Sequence, residues 1–145
     1  MKKLKGLIKM LLISLCLFGL CACQSESNNS NIHPDNSTTA STLGYEQIDA
    51  EKAKEIMDNG AEYILIDART DEEFASGHIE GALLIPEYEI KDRAPKELPD
   101  KDALILVYCR SGRRSKIASE ELVNLGYTNV KEFGGIIDWP YEIVK

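Results

Sequence analysis

The sequence predicts an α/β fold, in which a central sheet of parallel strands carries helices on both faces. Three short apolar runs, at 63–66, 82–85 and 104–108, are typical of strands that are buried on both sides. Segments with helix caps and helical spacing lie around them. Strand and helix signals therefore alternate from Gly44 onward, as expected for parallel strands joined by helices.

A short apolar stretch near Tyr45 opens this part of the chain, and a helix is predicted over 50–59. Asp49 is suited to cap that helix, and Gly60 to end it. The short apolar run at 63–66 follows as a buried strand. A helix is therefore predicted to connect the stretch near Tyr45 to the strand at 63–66.

The middle of the chain predicts two short helices around a strand. Residues 70–73 (Thr-Asp-Glu-Glu) have the spacing of a capping box and open the first helix. The strand at 82–85 comes next. The polar stretch after it predicts a short helix over 88–92, with Pro95 and Pro99 as helix breakers.

The strongest strand signal, at 104–108, runs directly into Cys109. A few residues later a helix with apolar residues at helical spacing begins, and Gly126 ends it. Residues 130–133 predict the last strand. A Gly-Gly pair then leads into a closing segment that contains Trp139.

The N-terminal residues have the three parts of an export signal. A basic start precedes an apolar run over 10–20, and small residues follow that run; the basic residues are Lys2, Lys3, Lys5 and Lys9. The apolar run has 11 residues, interrupted only by Ser14 and Gly19, whereas a helix that spans a bilayer needs about 20. We therefore expect an export signal rather than a transmembrane anchor.

The stretch Leu20-Cys21-Ala22-Cys23 resembles the lipobox of bacterial lipoproteins. The resemblance implies that residues 1–22 are a lipoprotein signal peptide and that Cys23 is lipidated. It places the protein outside the cytoplasm, anchored to the cell membrane or at its periplasmic face. Several acyl chains on one residue anchor a protein stably, whereas a single chain does not. The alternative is a plain secretory signal, which leaves Cys23 as a free thiol.

Residues 24–43 separate this signal from the folded part. Twelve of these 20 residues are Ser, Thr or Asn, so the segment cannot bury enough apolar surface to offset its ordering entropy. As a flexible coil it would span roughly 25 Å. The sequence thus predicts a lipidated Cys with a flexible tether over 23–43 and a folded domain over 44–145.

The chain has 145 residues, a net charge of −7 and four Cys, which fits one ordinary domain. Without residues 1–22 the net charge becomes −11, because that segment holds four basic residues and no acidic one. Such an acidic domain argues against nucleic-acid binding, which needs a basic face. Besides Cys23 it keeps only Cys109, so no internal disulfide is expected.

Cys109 is the candidate nucleophile. It follows a predicted strand and precedes a helix N-terminus, at the edge of an α/β sheet where ligands bind. Loop amides and the helix dipole stabilise a thiolate there, and Arg110, Arg113 and Arg114 add positive charge. These features predict a reactive thiolate that faces a small anion. The competing interpretation, a small buried apolar Cys, gives the clustered arginines no purpose.

The loop Cys109-Arg110-Ser111-Gly112-Arg113-Arg114-Ser115 resembles the active-site loop of rhodanese-type sulfurtransferases. Further motifs of that family occur in the same order: Asp67-Ala68-Arg69, Gly-His-Ile-Glu-Gly-Ala at 77–82, Ile85-Pro86, Phe133-Gly134-Gly135 and Trp139. The match extends over about 100 of the 145 residues. It implies the family's three-layer fold, a five-stranded parallel sheet flanked by helices.

The resemblance also implies ping-pong sulfur transfer through a persulfide on Cys109. The donor would be thiosulfate or a similar small anion, and the acceptor cyanide, a thiol or a protein. Loop amides would cradle the donor, while Arg110 and Arg114 neutralise charge. The implied substrate-binding residues are Arg110, Ser111, Gly112, Arg113, Arg114 and Ser115. No metal or organic cofactor is expected, and the domain is expected to be a monomer.

Four other motif residues have weaker functional interpretations. Asp67 and Arg69 lie at the carboxyl end of another strand, where they pair with each other or orient the loop. Ser115 lies at the helix start, from which its hydroxyl can reach the Cys109 sulfur. His78 lies at a turn and is better explained as a hydrogen-bonded anchor than as a general base.

Two other classes of function stay open. A tethered domain of this kind can bind a partner or carry a persulfide with little turnover. Phosphatases and arsenate reductases of the same architecture use a Cys, five intervening residues and an Arg. Here Ser115 occupies the position of that Arg, and Arg114 comes one place too early. The shorter loop therefore favours sulfur over phosphate.

Overall fold

A computed structural model describes residues 44–145, and its strands form one five-stranded sheet in the order β1-β5-β4-β2-β3. The strands are β1 (Glu46–Gln47), β2 (Ile64–Asp67), β3 (Leu83–Leu84), β4 (Ile105–Cys109) and β5 (Val130–Gly135). All neighbouring strands are parallel. The predicted fold class is therefore confirmed, with the apolar run of β4 buried at the centre of the sheet.

Four α-helices connect the strands: α1 (Ala50–Asp58), α2 (Asp71–Ser76), α3 (Ile90–Glu97) and α4 (Arg113–Asn124). Short 3₁₀ turns precede α3 at Glu87–Glu89 and follow β5 at Ile136–Asp138. Asp49 caps α1 by accepting a hydrogen bond from the amide of Lys52 at 2.7 Å. Thr70 and Glu73 form the predicted capping box of α2. Local capping chemistry thus sets both helix starts.

The prediction that Pro95 breaks the chain's third helix is wrong, because Pro95 lies inside α3. Proline removes one hydrogen bond from a helix interior. The Tyr127 hydroxyl oxygen lies 2.7 Å from the carbonyl oxygens of both Ala94 and Leu98, and its single proton ties the end of α3 to this distant side chain through one of them at a time. Ala94 is fully buried, so packing and this distant side chain keep the last turn helical.

Two hydrophobic clusters lie on the opposite faces of the sheet, as the alternation of side chains along β4 shows. Ile105, Val107 and Cys109 point into the cluster that contains α3 and α4 residues. Leu106 and Tyr108 point into the other cluster. Cys109 therefore ends the central strand on the α4 side of the sheet.

The predicted signal peptide, the lipidation of Cys23 and the flexible tether all fall outside the described residues, and they stay predictions. Within residues 44–145 none of the helices has both the length and the apolar character needed to cross a bilayer.

Candidate active site

Cys109 is the last residue of β4, and three residues, Arg110, Ser111 and Gly112, connect it to α4. Gly112 has a φ of +93°, in the left-handed region that glycine adopts without a steric penalty. This turn directs the Gly112 amide back toward the sulfur, and it donates a hydrogen bond to Cys109 Sγ at 3.1 Å. The loop is therefore shaped to place a backbone donor on the sulfur.

The Cys109 side chain is buried, with an exposed fraction of 1%. Burial is the largest influence on the thiol and raises its pKa, because it disfavours the thiolate. Hydrogen bonds from the Ser115 hydroxyl and from the amides of Ser115, Ser111 and Gly112 act in the other direction, and the pKa is lowered overall. Cys109 is thus packed in the core, and its hydrogen bonds outweigh the effect of burial on its pKa.

The Gly134-Gly135 pair supports the loop from the side of β5. Gly135 is the register partner of Cys109. A Cβ atom on Gly135 would overlap the Arg110 carbonyl oxygen and the Ser111 Cα. Only a glycine allows the two backbones to approach this closely, so the pair fixes the position of the loop.

Glu132 belongs to this site, although the sequence motifs did not indicate it. Its side chain is buried, and Oε1 accepts hydrogen bonds from the Ser115 hydroxyl at 2.6 Å and from the Gly134 amide at 2.8 Å. The strand period offered a signal: Glu132 lies two residues after buried Val130, on the same face of β5.

The three loop arginines have different environments. The Arg114 guanidinium donates two hydrogen bonds to the Glu73 carboxylate, at 2.7 and 2.8 Å. Arg114 lowers the pKa of Glu73 to about 2, and Glu73 in turn raises that of Arg114. Arg110 and Arg113 are exposed and have no ion-pair partner within residues 44–145. Arg114 is thus paired whereas Arg110 and Arg113 are not, and its predicted part in neutralising the donor stays a prediction.

Asp67 and Arg69 pair with each other, which was one of the two alternatives predicted for them. Arg69 Nη2 donates to Asp67 Oδ2 at 2.6 Å, and Nε lies 2.9 and 3.0 Å from the two carboxylate oxygens. Arg69 Nη2 also bonds the Gly77 carbonyl at 2.7 Å. Both side chains are buried, and the guanidinium lies over the Tyr108 ring. Arg69 therefore uses its Nε and Nη2 donors on groups within the protein.

His78 and Trp139 have structural contacts. His78 Nδ1 lies 3.1 Å from the Phe74 carbonyl oxygen, and the two rings stack. The His78 backbone also forms a bridge with Val144. Trp139 packs against Phe133 in the second cluster. These contacts support the turn-anchor interpretation of His78.

Across residues 44–145, no group of three or more His, Cys, Asp or Glu side chains is placed to hold a metal ion.

Comparison with known proteins gives consistent matches. The family model for the Rhodanese-like domain matches residues 49–140. Thiosulfate sulfurtransferase PspE of Escherichia coli is 42% identical over 80 residues, which cover 55% of this chain and 77% of PspE. A sulfurtransferase of Allochromatium vinosum is 39% identical over 94 residues, covering 64% and 86% of the two chains. A solved rhodanese with anions from E. coli aligns with a TM-score of 0.55 at 39% identity, covering 58% of this chain and 99% of that one.

Proposed function

Because this chain belongs to the Rhodanese-like domain family, we propose that it is a sulfurtransferase of the thiosulfate type with a persulfide on Cys109. The observation that carries the proposal is the Cys109 sulfur, which ends the central strand and receives hydrogen bonds that lower its pKa. A thiolate in such a site is the nucleophile of covalent catalysis.

In the first half-reaction the Cys109 thiolate attacks the outer sulfur of thiosulfate. A new sulfur–sulfur bond forms to Sγ as the bond inside thiosulfate breaks, and sulfite leaves with the electron pair. The negative charge then lies on the outer sulfur of the persulfide. The amides of Ser111, Gly112 and Ser115 that stabilise the thiolate are placed to hold this charge as well.

In the second half-reaction an acceptor thiolate or cyanide attacks the outer sulfur of the persulfide. The Cys109 thiolate leaves, which restores the starting state. Both half-reactions displace a thiolate or sulfite from sulfur, so neither needs a metal ion or an organic cofactor.

Arg110 and Arg113 are proposed to attract the anionic donor. Both are exposed and unpaired within residues 44–145, and positive groups at a site raise the local concentration of anions. Arg114 is proposed to act differently, because its guanidinium is held by Glu73. We infer that Arg114 holds the start of α4 in place and does not bind the donor.

The burial of the sulfur supports a sulfur donor over a phosphate ester. With 1% of Cys109 exposed, a terminal sulfur atom on a small anion can approach it more closely than a tetrahedral phosphorus surrounded by oxygens. The three-residue connection between Cys109 and α4 agrees with this preference.

The test is persulfide formation on the purified full chain. Incubation with thiosulfate is expected to add the mass of one sulfur atom to the peptide that contains Cys109, and cyanide is expected to release it as thiocyanate. Cys109→Ser should show neither, whereas Cys23→Ala should behave like the wild type. An equal adduct in Cys109→Ser, or hydrolysis of an aryl phosphate without any adduct, would contradict the proposal.

A persulfide carrier with little turnover is the second candidate, since the family also includes sulfur carriers. The burial of Cys109 favours it, because a shielded persulfide is protected from small thiols in solution. Single-turnover loading followed by slow release to cyanide would indicate a carrier. Repeated rapid turnover would indicate an enzyme.

We further propose that the protein is exported and anchored to a membrane by a lipid on Cys23. The lipobox resemblance and the polar tether support this proposal. Cells grown with a labelled fatty acid are expected to label the wild type and Cys21→Ala, but not Cys23→Ala. Label that persists in Cys23→Ala would exclude this anchor.

A further inference from the structure

Two exposed apolar side chains lie at the edge of the sheet that carries Cys109. Among residues 44–145 the most exposed large apolar side chains are Tyr88 and Ile137, with exposed fractions of 66% and 64%. Tyr88 lies in the 3₁₀ turn after β3, and Ile137 lies in the 3₁₀ turn after β5. Single exposed apolar residues are common on protein surfaces. These two, however, both follow the carboxyl ends of strands in one parallel sheet, where ligands bind.

Ile137 lies directly beside the Cys109 loop. Its amide donates a hydrogen bond to the carbonyl oxygen of Arg110 at 3.3 Å. Arg110 is the residue that follows Cys109, and β5 is the neighbour of β4 in the sheet. The exposed Ile137 side chain is therefore part of the surface around the sulfur.

The turn that contains Tyr88 lies on the other side of the loop. The Glu87 amide donates to the Ala68 carbonyl oxygen at 3.2 Å, and the Ala68 amide donates to that of Tyr108 at 2.9 Å. These bonds connect the residue before Tyr88 to the residue before Cys109. The same turn packs against α4. Tyr88 and Ile137 thus lie on opposite sides of the loop that holds the sulfur.

Between these apolar side chains lie the charges nearest to the sulfur in the chain. Arg110 follows Cys109 directly, and Arg113 begins α4; both are exposed and have no ion-pair partner within residues 44–145. Exposed acidic residues also lie at this edge, at the start of α2 and after Ile137: Asp71, Glu72 and Asp138. The surface is therefore positive in the loop itself and apolar on both sides of it.

We propose that Arg110, Arg113, Tyr88 and Ile137 form a docking edge for a peptide or protein thiol that accepts sulfur from Cys109. The acceptor carries acidic residues beside its cysteine and apolar residues further out, because that order complements the edge. This inference rests on the proposed function. A peptide can bury apolar surface against Tyr88 and Ile137, whereas cyanide has no such surface.

The transfer itself is a displacement at sulfur. The acceptor thiolate attacks the outer sulfur of the Cys109 persulfide, and a new sulfur–sulfur bond forms. The bond to Cys109 Sγ breaks, and Cys109 leaves as a thiolate with the electron pair. With 1% of Cys109 exposed, the acceptor has to bring its thiol down to the sulfur, which a docked peptide does while its neighbouring residues stay on the edge.

A lipid surface is the competing occupant of an edge with arginines and apolar side chains. The described part of the chain begins at Gly44, which contacts Val123 near the C-terminal end of α4. Because α4 starts at the carboxyl edge and runs back along the sheet, Gly44 lies toward the amino edge. An anchor ahead of residue 44 would therefore be attached at the end of the domain opposite the docking edge, which favours an acceptor from the aqueous side.

The test uses the full chain after Cys109 has been loaded from thiosulfate and the excess donor removed. The first acceptor is a five-residue peptide with Cys at its centre, Asp on both sides of the Cys and Leu at both ends. The second has Gly in place of Leu, and the third is cyanide. Loss of the added sulfur is read by mass on the proteolytic fragment that contains Cys109.

The rate with the Leu peptide, divided by the rate with cyanide, is expected to fall about fivefold in Ile137→Ser and in Tyr88→Ser. The ratio for the Gly peptide should not fall. Tyr141→Ser is the matched control, because Tyr141 lies beside Lys54 of α1, on the sheet face opposite the Cys109 side chain. Both rates are measured on the same loaded Cys109, so the ratio does not depend on how much of a variant is folded.

The charge of the edge is tested with a peptide in which Lys replaces both Asp residues. At low salt the preference for the Asp peptide over the Lys peptide is expected to be about threefold weaker in Arg113→Ala than in the wild type, and high salt should remove the difference. Comparing the two proteins cancels the intrinsic reactivity of each peptide thiol. An equal preference in both proteins would contradict the acidic character of the acceptor.

An unchanged ratio in both Ile137→Ser and Tyr88→Ser would overturn the docking edge, and so would an equal fall in Tyr141→Ser. With the ratio unchanged, binding to phosphatidylglycerol vesicles that is lost in these variants would identify a lipid surface instead. Self-association that is lost in them would identify an interface between two copies of the chain.

A last measurement separates the docking edge from the proposed function. If thiosulfate leaves Cys109 unloaded, the proposed function fails, and both peptides are then activated as mixed disulfides with thionitrobenzoate. The Cys109 thiolate attacks the peptide sulfur, a disulfide forms, and thionitrobenzoate leaves with the electron pair. The Leu peptide should react faster than the Gly peptide in the wild type, and Ile137→Ser and Tyr88→Ser should reduce this advantage. The same advantage in all three proteins would overturn the docking edge as well.

Discussion

The neighbouring strands β2 and β4 end at the same carboxyl edge of the sheet, and charged residues lie at the end of each strand. At the end of β2, Asp67 and Arg69 are buried and form an ion pair with each other. After β4, Arg110 and Arg113 are exposed and unpaired within residues 44–145, beside a sulfur that backbone amides stabilise. The charges at the end of β2 are paired with each other, whereas two of the charges after β4 are unpaired within the described residues.

This difference shows that a shared position at the carboxyl edge does not give two motifs the same role. What separates them is whether each charge already has a partner inside the protein. The Glu73–Arg114 pair links the two regions, since Glu73 lies on the helix after β2 and Arg114 on the helix after β4. The following four changes are ordered by their expected effect on the free energy of unfolding.

Asp67→Ala is expected to lower the free energy of unfolding by about 3–5 kcal/mol, because it leaves the buried Arg69 charge without a partner. Urea denaturation measures this loss. Where the variant is still folded, Cys109 should react with iodoacetamide as in the wild type. A loss below about 1 kcal/mol, the range of surface pairs, would contradict the structural role.

Gly135→Ala is expected to destabilise the protein by about 1–3 kcal/mol, because the new methyl group overlaps the Arg110 and Ser111 backbone. Displacement of the loop should also slow the loading of Cys109 with sulfur. Gly126→Ala is the matched control, since its methyl group would meet no atom within 4 Å and adds only strain from its φ of +90°. Equal sulfur loading in the two variants would contradict the supporting role of Gly135.

Glu73→Gln is expected to cost about 1 kcal/mol at neutral pH, as a partly exposed pair does. Glutamine still fits the capping box, so the change isolates the ion pair. The pKa of Glu73 is lowered from 4.5 to about 2 in the folded protein. The stabilisation is therefore present above the unfolded pKa and is lost as the pH falls toward 2.

Denaturation curves of the wild type and Glu73→Gln should consequently converge between pH 4.5 and about 2. A difference that stays constant over this range would show that Glu73 acts by some route other than its charge.

Arg110→Ala combined with Arg113→Ala is expected to change the free energy of unfolding by less than about 0.5 kcal/mol, as exposed unpaired side chains do. The reaction with thiosulfate should slow by about tenfold at low salt, with a smaller effect at high salt. Neutral iodoacetamide is the control and should react at nearly the wild-type rate. An equal slowing of both reagents would exclude attraction of the anion as the cause.

Much of the fold was predictable because its signals are local. Asp49 and the Thr70 capping box set helix starts within one turn, and the apolar run of β4 placed Cys109 at its end. Pro95 misled the prediction, because its helix is held by Tyr127 from a distant segment. The lipidation of Cys23 stays a prediction.

The sequence by itself determined the alternation of strands and helices and the junction at which Cys109 lies, because periodicity, caps and turns depend on neighbours in the chain. Only the tertiary structure decided which charges are free. Glu73 meets Arg114 across 41 positions and Glu132 meets Ser115 across 17. Such partners depend on how separate elements pack together, and that packing decides which groups around the sulfur can act on a substrate.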